Sequence, residues 1–148
     1  MYNTETLIVM KANNAVVNLN LTDITHEESL LRAGNDSNCI NWILGHIIQN
    51  RDGIRAVLNL PALCSEEFAG TYQRGTAPVT SEFAVQLSEL IERYNEGQKE
   101  IEEKISETDY SGKPGDLQTL TFLAFHESYH VGQIGILRRV TGKSGAIK

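Results

Sequence analysis

Apolar residues recur at steps of three and four in four segments of the chain, and this spacing predicts amphipathic α-helices. We expect the first helix to run from Thr4 to about Leu21, with Asn3 or Thr4 as its N-cap. The polar segment after it allows a short helical turn over residues 27–32, which Gly34 would end. The apolar positions of the first helix are Leu7, Ile8, Ala12, Ala15, Val16 and Leu19.

The second predicted helix carries a histidine in the middle of its apolar face. We expect a cap at residues 36–38 and an end at about Asn59, before Pro61. The positions predicted to face inward are Cys39, Trp42, Ile43, His46, Asn50, Gly53, Ile54 and Val57.

A long connection separates the second and third predicted helices. Residues 60–80 contain two prolines and two glycines, and at roughly 20 residues the segment exceeds the usual inter-helix loop, which indicates a crossover or a lid. The third helix is predicted to begin at Thr80 or Ser81. Its inward positions are Phe83, Leu87, Leu90, Ile91, Tyr94, Ile101 and Ile105.

After a loop at residues 107–115, Asp116 is predicted to cap a fourth helix that runs to about Thr141 and ends at Gly142. No segment has a convincing strand pattern. The sequence therefore predicts an all-α, four-helix bundle with at least one long crossover connection, in a single domain over residues 1–148.

Composition narrows the classes of function. A net charge of -6 argues against nucleic-acid binding and against an anionic membrane surface, because both depend on clustered Lys and Arg. No apolar run approaches the roughly 18 residues of a membrane-spanning helix, and the first residues do not resemble a signal peptide. Cys39 and Cys64 are isolated, which favours reduced thiols and a cytoplasmic location.

The most informative stretch is His126-Glu127-Ser128-Tyr129-His130. Histidines four apart on a helix differ by about 40° of rotation, so both can reach one metal ion. His46 can supply a third ligand, because facing helices lie about 8–10 Å apart. A lone histidine on an apolar face is commonly a hydrogen-bonded core residue, but three together favour a divalent metal, above all Zn²⁺, with Ni²⁺, Fe²⁺, Co²⁺ and Mn²⁺ as alternatives. His26, in a polar segment, is interpreted as a surface residue.

The same stretch satisfies the H-E-x-x-H pattern of zinc proteases, which take a third ligand downstream. Residues 131–148 contain no His, Asp, Glu or Cys, so we expect no protease site. Glu127 remains a candidate general base for a metal-bound water. The alternative is that Glu127 faces outward or hydrogen-bonds to a neighbouring helix.

Further polar residues lie close to the histidines along the helices. Asn50 and Gln133 are each one turn from a histidine and are candidates for hydrogen bonds to the metal ligands or to substrate, with core polarity as the alternative. Arg138, Arg139 and Lys143 favour the negative end of the fourth helix, or else bind an anionic thiol.

Residues 41–47 (Asn-Trp-Ile-Leu-Gly-His-Ile) and 126–134 (His-Glu-Ser-Tyr-His-Val-Gly-Gln-Ile) together resemble the paired signatures of the DinB-like superfamily. That superfamily includes YfiT-like metal-dependent hydrolases and thiol-dependent S-transferases. The resemblance implies a four-helix bundle with a crossover topology, a divalent metal held by His46, His126 and His130, and a homodimer.

The resemblance implies two chemistries. In one, the metal binds a low-molecular-weight thiol such as bacillithiol or mycothiol as its thiolate and presents it to an electrophile. In the other, the metal activates water for hydrolysis. Both imply a small-molecule substrate, while the net charge of -6 predicts no nucleic-acid or membrane partner. The alternative is a non-catalytic, stress-associated bundle that binds a metal or a small ligand at a sealed site.

Overall fold

The computed structural model describes residues 4–147, and this range contains helices and no strand. The prediction of an all-helical chain is confirmed. No helix in the described range combines the length and apolar character that crossing a membrane requires. The six helices are α1 (Thr4–Leu21), α2 (His26–Ser29), α3 (Ile40–Val57), α4 (Glu66–Tyr72), α5 (Leu87–Glu107) and α6 (Pro114–Val140).

The four long helices surround a common interior. Going round it, α1 contacts α6, α6 contacts α3, α3 contacts α5 and α5 contacts α1. The short α4 packs on α3, and α2 contacts both α3 and α5. Two apolar clusters fill the interior, one towards the start of α3 and one towards its end. Polar side chains of α3, α5 and α6 are buried along the same interior.

The start of α3 differs from the prediction of a cap at residues 36–38. The cap is Cys39, whose Sγ accepts the Trp42 backbone N–H at 3.5 Å. The Ser37 hydroxyl is instead bonded to the backbone of Gly34, at 2.9 Å, and closes the preceding turn. The helix therefore begins about two residues later than the polar residues suggested.

The connection between α3 and α5 is partly helical. Ser65 caps α4 by accepting the Phe68 N–H at 3.2 Å, and both Phe68 and Tyr72 are buried. A helix of seven residues is too short to show a clear hydrophobic period, so the sequence pattern did not predict it. The α4 part of this connection packs against α3.

The predicted start of α5 is wrong. The helix begins at Leu87, and Phe83, predicted to face inward, is 68% exposed. Two tertiary contacts hold the chain here: the Val85 N–H donates to the Tyr72 hydroxyl at 3.0 Å, and the Leu87 N–H donates to His26 Nδ1 at 3.2 Å. His26 is half-buried and accepts the first N–H of α5, whereas a surface position without such a contact was predicted for it.

Three smaller expectations concern helix ends and faces. Pro114, and not a cap at Asp116, marks the first turn of α6, where its missing N–H costs no hydrogen bond. The predicted end is confirmed, because Gly142 adopts φ +83° just after the helix. Gly53 is exposed, although a Cβ at this position would lie 3.4 Å from Leu123 on α6. Asn3, a predicted cap, lies outside the described residues.

Candidate metal centre

Three imidazoles from α3 and α6 meet in the interior. The ring centroids are 5.5 Å apart for His46 and His126, 4.9 Å for His46 and His130, and 4.5 Å for His126 and His130. One nitrogen of each ring lies within 4.8 Å of the other two. His46 and His130 are only 4% and 8% exposed, whereas His126 is half-buried. The structure thus brings together the three residues that the sequence selected, in a group that can hold a metal ion.

The orientation of His46 is set from α4. Its Nδ1 lies 2.8 Å from the backbone oxygen of Tyr72. A carbonyl oxygen can only accept, so Nδ1 carries the proton and Nε2 keeps a lone pair. The Asn50 amide nitrogen lies 3.0 Å from this Nε2 and also donates to the His46 backbone oxygen at 2.8 Å. Asn50 therefore donates to the candidate ligand atom, and a metal bound at Nε2 would replace this hydrogen bond.

Tyr72 reaches His46 because residue 45 has no side chain. A Cβ on Gly45 would lie 2.2–2.5 Å from atoms of the Tyr72 ring, closer than any packed carbon contact. The ring is also held at its far end, where the hydroxyl donates to Asn41 Oδ1 at 3.0 Å and accepts from Val85 N–H. The close approach of α4 to α3 is thus a requirement of the centre.

On α6, Gln133 sets the orientation of His130. His130 Nδ1 lies 2.7 Å from Gln133 Oε1, while the Gln133 amide nitrogen donates to the Tyr129 hydroxyl at 3.3 Å. With the amide oxygen facing the ring, Nδ1 donates and Nε2 carries the lone pair. Gln133 thus makes the hydrogen bond to a candidate ligand that its position in the sequence suggested.

The two α6 histidines point their Nε2 atoms at each other across 3.2 Å. Since His130 Nε2 carries a lone pair, His126 must either donate a proton to it or share a cation with it. Tetrahedral Zn²⁺ with bonds of 2.0–2.1 Å separates its ligand nitrogens by about 3.3 Å. The observed pair already has nearly this spacing, and a side-chain movement of roughly 1.5 Å or less brings in His46.

Burial lowers the pKa of all three histidines, and that of His130 falls to about 4. The positive charge of Arg74 further lowers the pKa of His46 and of His126. The three rings are therefore neutral at pH 7. Neutral imidazole is the form that binds a metal, so no proton has to be displaced near neutrality.

Glu127, the candidate general base, is buried in an ion pair. Its carboxylate accepts Arg51 Nε at 2.9 Å and Nη2 at 2.8 Å, and also the Tyr94 hydroxyl at 3.1 Å. Only 3% of the residue is exposed. Both oxygens are thus engaged by groups on α3 and α5. This placement favours the alternative reading of Glu127, a link to neighbouring helices, over a general base.

The partners of Glu127 were not identified from the sequence. Arg51 also donates to the Tyr94 backbone oxygen at 2.9 Å and to Gln98 Oε1 at 2.6 Å, so every nitrogen of its guanidinium has an acceptor. Burial lowers the pKa of Arg51, but the charge of Glu127 and its hydrogen bond, together with the nearby Tyr94 and Glu102, outweigh burial and raise the pKa. Arg51 and Arg55, one turn apart in a helix whose other buried residues are mostly apolar, are the sequence feature that could have indicated buried counter-charges.

Comparison of the chain with protein-family models and with curated proteins finds no match. The function is therefore inferred from the geometry of the histidine centre and from the residues around it.

Proposed function

We propose that the protein is a divalent-metal-dependent enzyme that acts on a small molecule through His46, His126 and His130. The observation that carries this proposal is the convergence of three neutral imidazoles, with one nitrogen of each ring within 4.8 Å of the other two. Within the described range, the only hydrogen bonds at these nitrogens come from the Asn50 amide and from one proton between His126 and His130. A shared cation would bind all three rings at once.

The donor set supports Zn²⁺ as the metal, with Ni²⁺, Fe²⁺, Co²⁺ or Mn²⁺ as alternatives. When bound, the metal would lower the pKa of a coordinated thiol or water. The chain itself holds the rings: the Tyr72 carbonyl and the Gln133 amide each accept the Nδ1 proton of one ligand. Such hydrogen bonds fix the ring orientation and increase the basicity of the opposite nitrogen.

An enzyme is favoured over a sealed, structural metal site by the number of ligands. Among residues 4–147, the group contains three candidate side chains and no fourth His, Cys, Asp or Glu. Structural zinc sites use four protein ligands, whereas catalytic sites use three and leave a position for water or substrate. The partial exposure of His126 gives that position a route to solvent.

We infer that the chain is a DinB-like protein with the crossover four-helix bundle of that superfamily. The two sequence signatures place histidines at the same points as the observed cluster, and four long helices surround the interior with the α4 segment connecting α3 to α5. On this basis the reaction is transfer of a low-molecular-weight thiol to an electrophile, or hydrolysis.

A homodimer is part of the same proposal. Large apolar side chains on the outer face of α6 are exposed. Between Asp116 and Arg138 the only charged residue is Glu127, which is buried, so this outer face carries no charge. Exposed apolar patches of this kind mark interaction surfaces. The exposed residues are Phe122, Phe125, Tyr129 and Ile136. Size-exclusion chromatography coupled to light scattering would give the oligomeric state.

Elemental analysis of the purified protein, followed by thiol-conjugation and hydrolysis assays with a panel of electrophiles and esters, tests the proposal. We expect about one metal ion per chain and an activity that a chelator removes and added metal restores. A protein with no affinity for divalent metals, or a metal with four protein ligands, would contradict it.

A further inference from the structure

A cavity of about 500 Å³ lies between α1, the second half of α6 and the segment that follows α6. This volume is typical of small-molecule sites. Val131 and Gly135 line the cavity, and they lie about 100° and 140° around α6 from His130. The cavity is therefore separate from the histidine cluster, which faces α3. Its apolar lining residues are Val16, Val131, Ile136, Ala146 and Ile147.

Two glycines of α6 leave this space open. A Cβ on Gly132 would meet nothing within 4 Å, and a Cβ on Gly135 would lie 3.6 Å from the nearest atom of Asn20. Glycine is the least favourable residue in a helix interior apart from proline, so helix stability does not explain either position. Because both glycines line the cavity, a side chain at position 132 would project into it.

The wall that follows α6 is fixed by two basic residues. Arg138, which is buried, donates to the backbone oxygens of Ser144 and Asn20, each at 2.8 Å, and so joins this segment to the end of α1. Lys143 is paired with Glu28 on α2 at 2.6 Å. Of the three basic residues that the sequence suggested for anion binding, these two are therefore engaged within the fold.

The third basic residue, Arg139, lies at the cavity with its charge unpaired. The point that a Cβ on Gly145 would occupy is 3.0 Å from Arg139 Nη2 and 3.4 Å from its Nε, so the guanidinium lies directly beside residue 145. Arg139 is exposed, and its guanidinium has no hydrogen bond or ion pair with residues 4–147. Among the described residues that line the cavity, no other is charged. The cavity thus has one positive charge and no counter-charge.

A buried amide adds a second polar group to the lining. Asn20 is only 3% exposed, and its amide nitrogen donates to the Val16 backbone oxygen at 3.0 Å. Its second N–H and its side-chain oxygen have no hydrogen-bond partner in the described part of the chain. Buried side-chain polar atoms are usually hydrogen-bonded, so this unused capacity indicates a place for a polar atom of a ligand.

We propose that this cavity binds a small apolar carboxylate, such as hexanoate, at a site separate from the metal centre. The carboxylate lies at Arg139, because a guanidinium presents parallel N–H groups that match the two carboxylate oxygens. The hydrocarbon chain lies against Val131 and Ile136, where it is removed from water. This site does not depend on the proposed metal-dependent activity.

A second copy of the chain is the competing occupant, because Ile136 also belongs to the face proposed for the homodimer. Charge favours the small anion. A two-fold contact uses the same face of both copies. Residues 12–22 and 128–147, which supply the helical and C-terminal walls of the cavity, contain no Asp or Glu that could pair with Arg139 of the other copy.

Three ligands with the same six-carbon chain test the proposal on the full chain as purified. Hexanoate, 1-hexanol and hexylamine carry a negative, a neutral and a positive group, and their affinities are read from ¹H–¹⁵N NMR titrations. We expect saturable shifts at the backbone amides of Gly132, Gly135 and Gly145. Hexanoate should bind about tenfold more tightly than 1-hexanol, as one charge-assisted hydrogen bond provides, and hexylamine should bind most weakly.

Two variants assign the preference to the cavity. Arg139→Gln should reduce the difference between hexanoate and 1-hexanol to within about twofold. Gly132→Leu fills the cavity from a position where the added Cβ meets nothing, and should weaken all three ligands by more than about tenfold. Lys99→Gln, which removes an exposed cation on α5, and His130→Ala, which alters the metal centre, are the controls and should retain the wild-type affinities.

The outcomes decide between the possible occupants. An absence of saturable shifts at the three glycines, equal affinity for the three ligands, or a preference unchanged in Arg139→Gln overturns the proposal. Loss of hexanoate binding in His130→Ala also overturns it, because the ligand would then lie at the metal centre. A wild-type dimer that binds no hexanoate and becomes a monomer in Gly132→Leu, by light scattering, would identify a second copy as the occupant.

Discussion

Two polar assemblies lie between α3 and α6, and they differ in the charge and number of the hydrogen bonds that hold them. The ion-pair cluster, made of Arg51, Tyr94, Gln98 and Glu127, is closed, because each guanidinium nitrogen and each carboxylate oxygen has a partner. The histidine cluster, made of His46, His126 and His130, is open, because its facing nitrogens are neutral and, among residues 4–147, are joined only by the Asn50 amide and by one proton between His126 and His130, which a cation could replace.

The comparison shows how neighbouring residues on one helix acquire different roles. His126 and Glu127 are consecutive, so their side chains point about 100° apart around α6. Glu127 reaches Arg51 on α3 and Tyr94 on α5, whereas His126 reaches His46 and His130. A closed network stabilises the packing of three helices. The histidine cluster is held by fewer and neutral hydrogen bonds, which is expected where a ligand is to replace them.

The largest expected effect comes from opening the closed cluster. Glu127→Ala leaves the Arg51 guanidinium buried without its counter-charge, and we expect the free energy of unfolding to fall by about 3–5 kcal/mol in chemical denaturation. The exposed pair of Glu89 and Arg93, at 2.7 Å, is the control, since Glu89→Ala should cost less than about 1 kcal/mol. Equal losses of unfolding free energy in the two variants would mean that the buried ion pair stabilises the fold no more than the exposed pair does.

A double variant sharpens this result. Replacing both charges, with Arg51→Met and Glu127→Leu, should recover much of the stability, because no uncompensated charge remains. This variant should also retain its metal, since none of the three histidines is altered. Loss of metal in a stable double variant would show that Glu127 belongs functionally to the histidine cluster.

Removing a histidine should affect the bound metal, whereas Glu127→Ala affects stability. We expect His130→Ala to lower bound metal from about one per chain to below about 0.1, as measured by elemental analysis, because two imidazoles seldom retain a divalent ion. His26→Ala is the control, as His26 lies outside the cluster and should leave the metal content unchanged. An undiminished metal content in His130→Ala would contradict the assignment.

The link from α4 to the histidine cluster can be broken at Gly45. Gly45→Ala places a methyl group 2.2–2.5 Å from the Tyr72 ring, so the ring and its backbone oxygen must move away from His46. We expect metal affinity to fall about tenfold and stability by about 1–3 kcal/mol. The matched control is Gly70→Ala within α4, where an added Cβ meets nothing within 4 Å. Similar metal affinities in the two variants would show that the contact between Tyr72 and His46 is not needed for metal binding.

The smallest expected effect is a dependence of stability on pH in the metal-free protein. Burial lowers the pKa of His130 to about 4 in the folded chain, from 6.5. Between these values the unfolded chain binds a proton that the folded chain does not, so stability falls as the pH drops below about 6.5 and is level above it. Over the first pH unit of this window, from about 6.5 to about 5.5, we expect the loss to be about 1 kcal/mol. His130→Gln, measured by chemical denaturation at each pH, should show a flatter profile.

Much of the fold and the histidine set could be predicted because both are local properties of the sequence. The period of the apolar residues predicted the bounds of α1 but not its buried face, since Ile8 and Leu19 are exposed while Asn13 and Asn20 are buried. Gly142 predicted the end of α6, and the four-residue spacing of His126 and His130 placed their rings on one face. The position of His46 within the apolar face of α3 indicated that its ring enters the same interior.

Only the tertiary structure decided which polar groups meet. The delayed start of α5 depends on contacts from Tyr72 and His26, and the role of Glu127 depends on Arg51, 76 residues earlier in the chain. Such pairings have no sequence period, since they arise where helices distant in the chain pack side by side. A helical repeat specifies the face on which a side chain lies, whereas the neighbouring helix determines whether that side chain finds a partner.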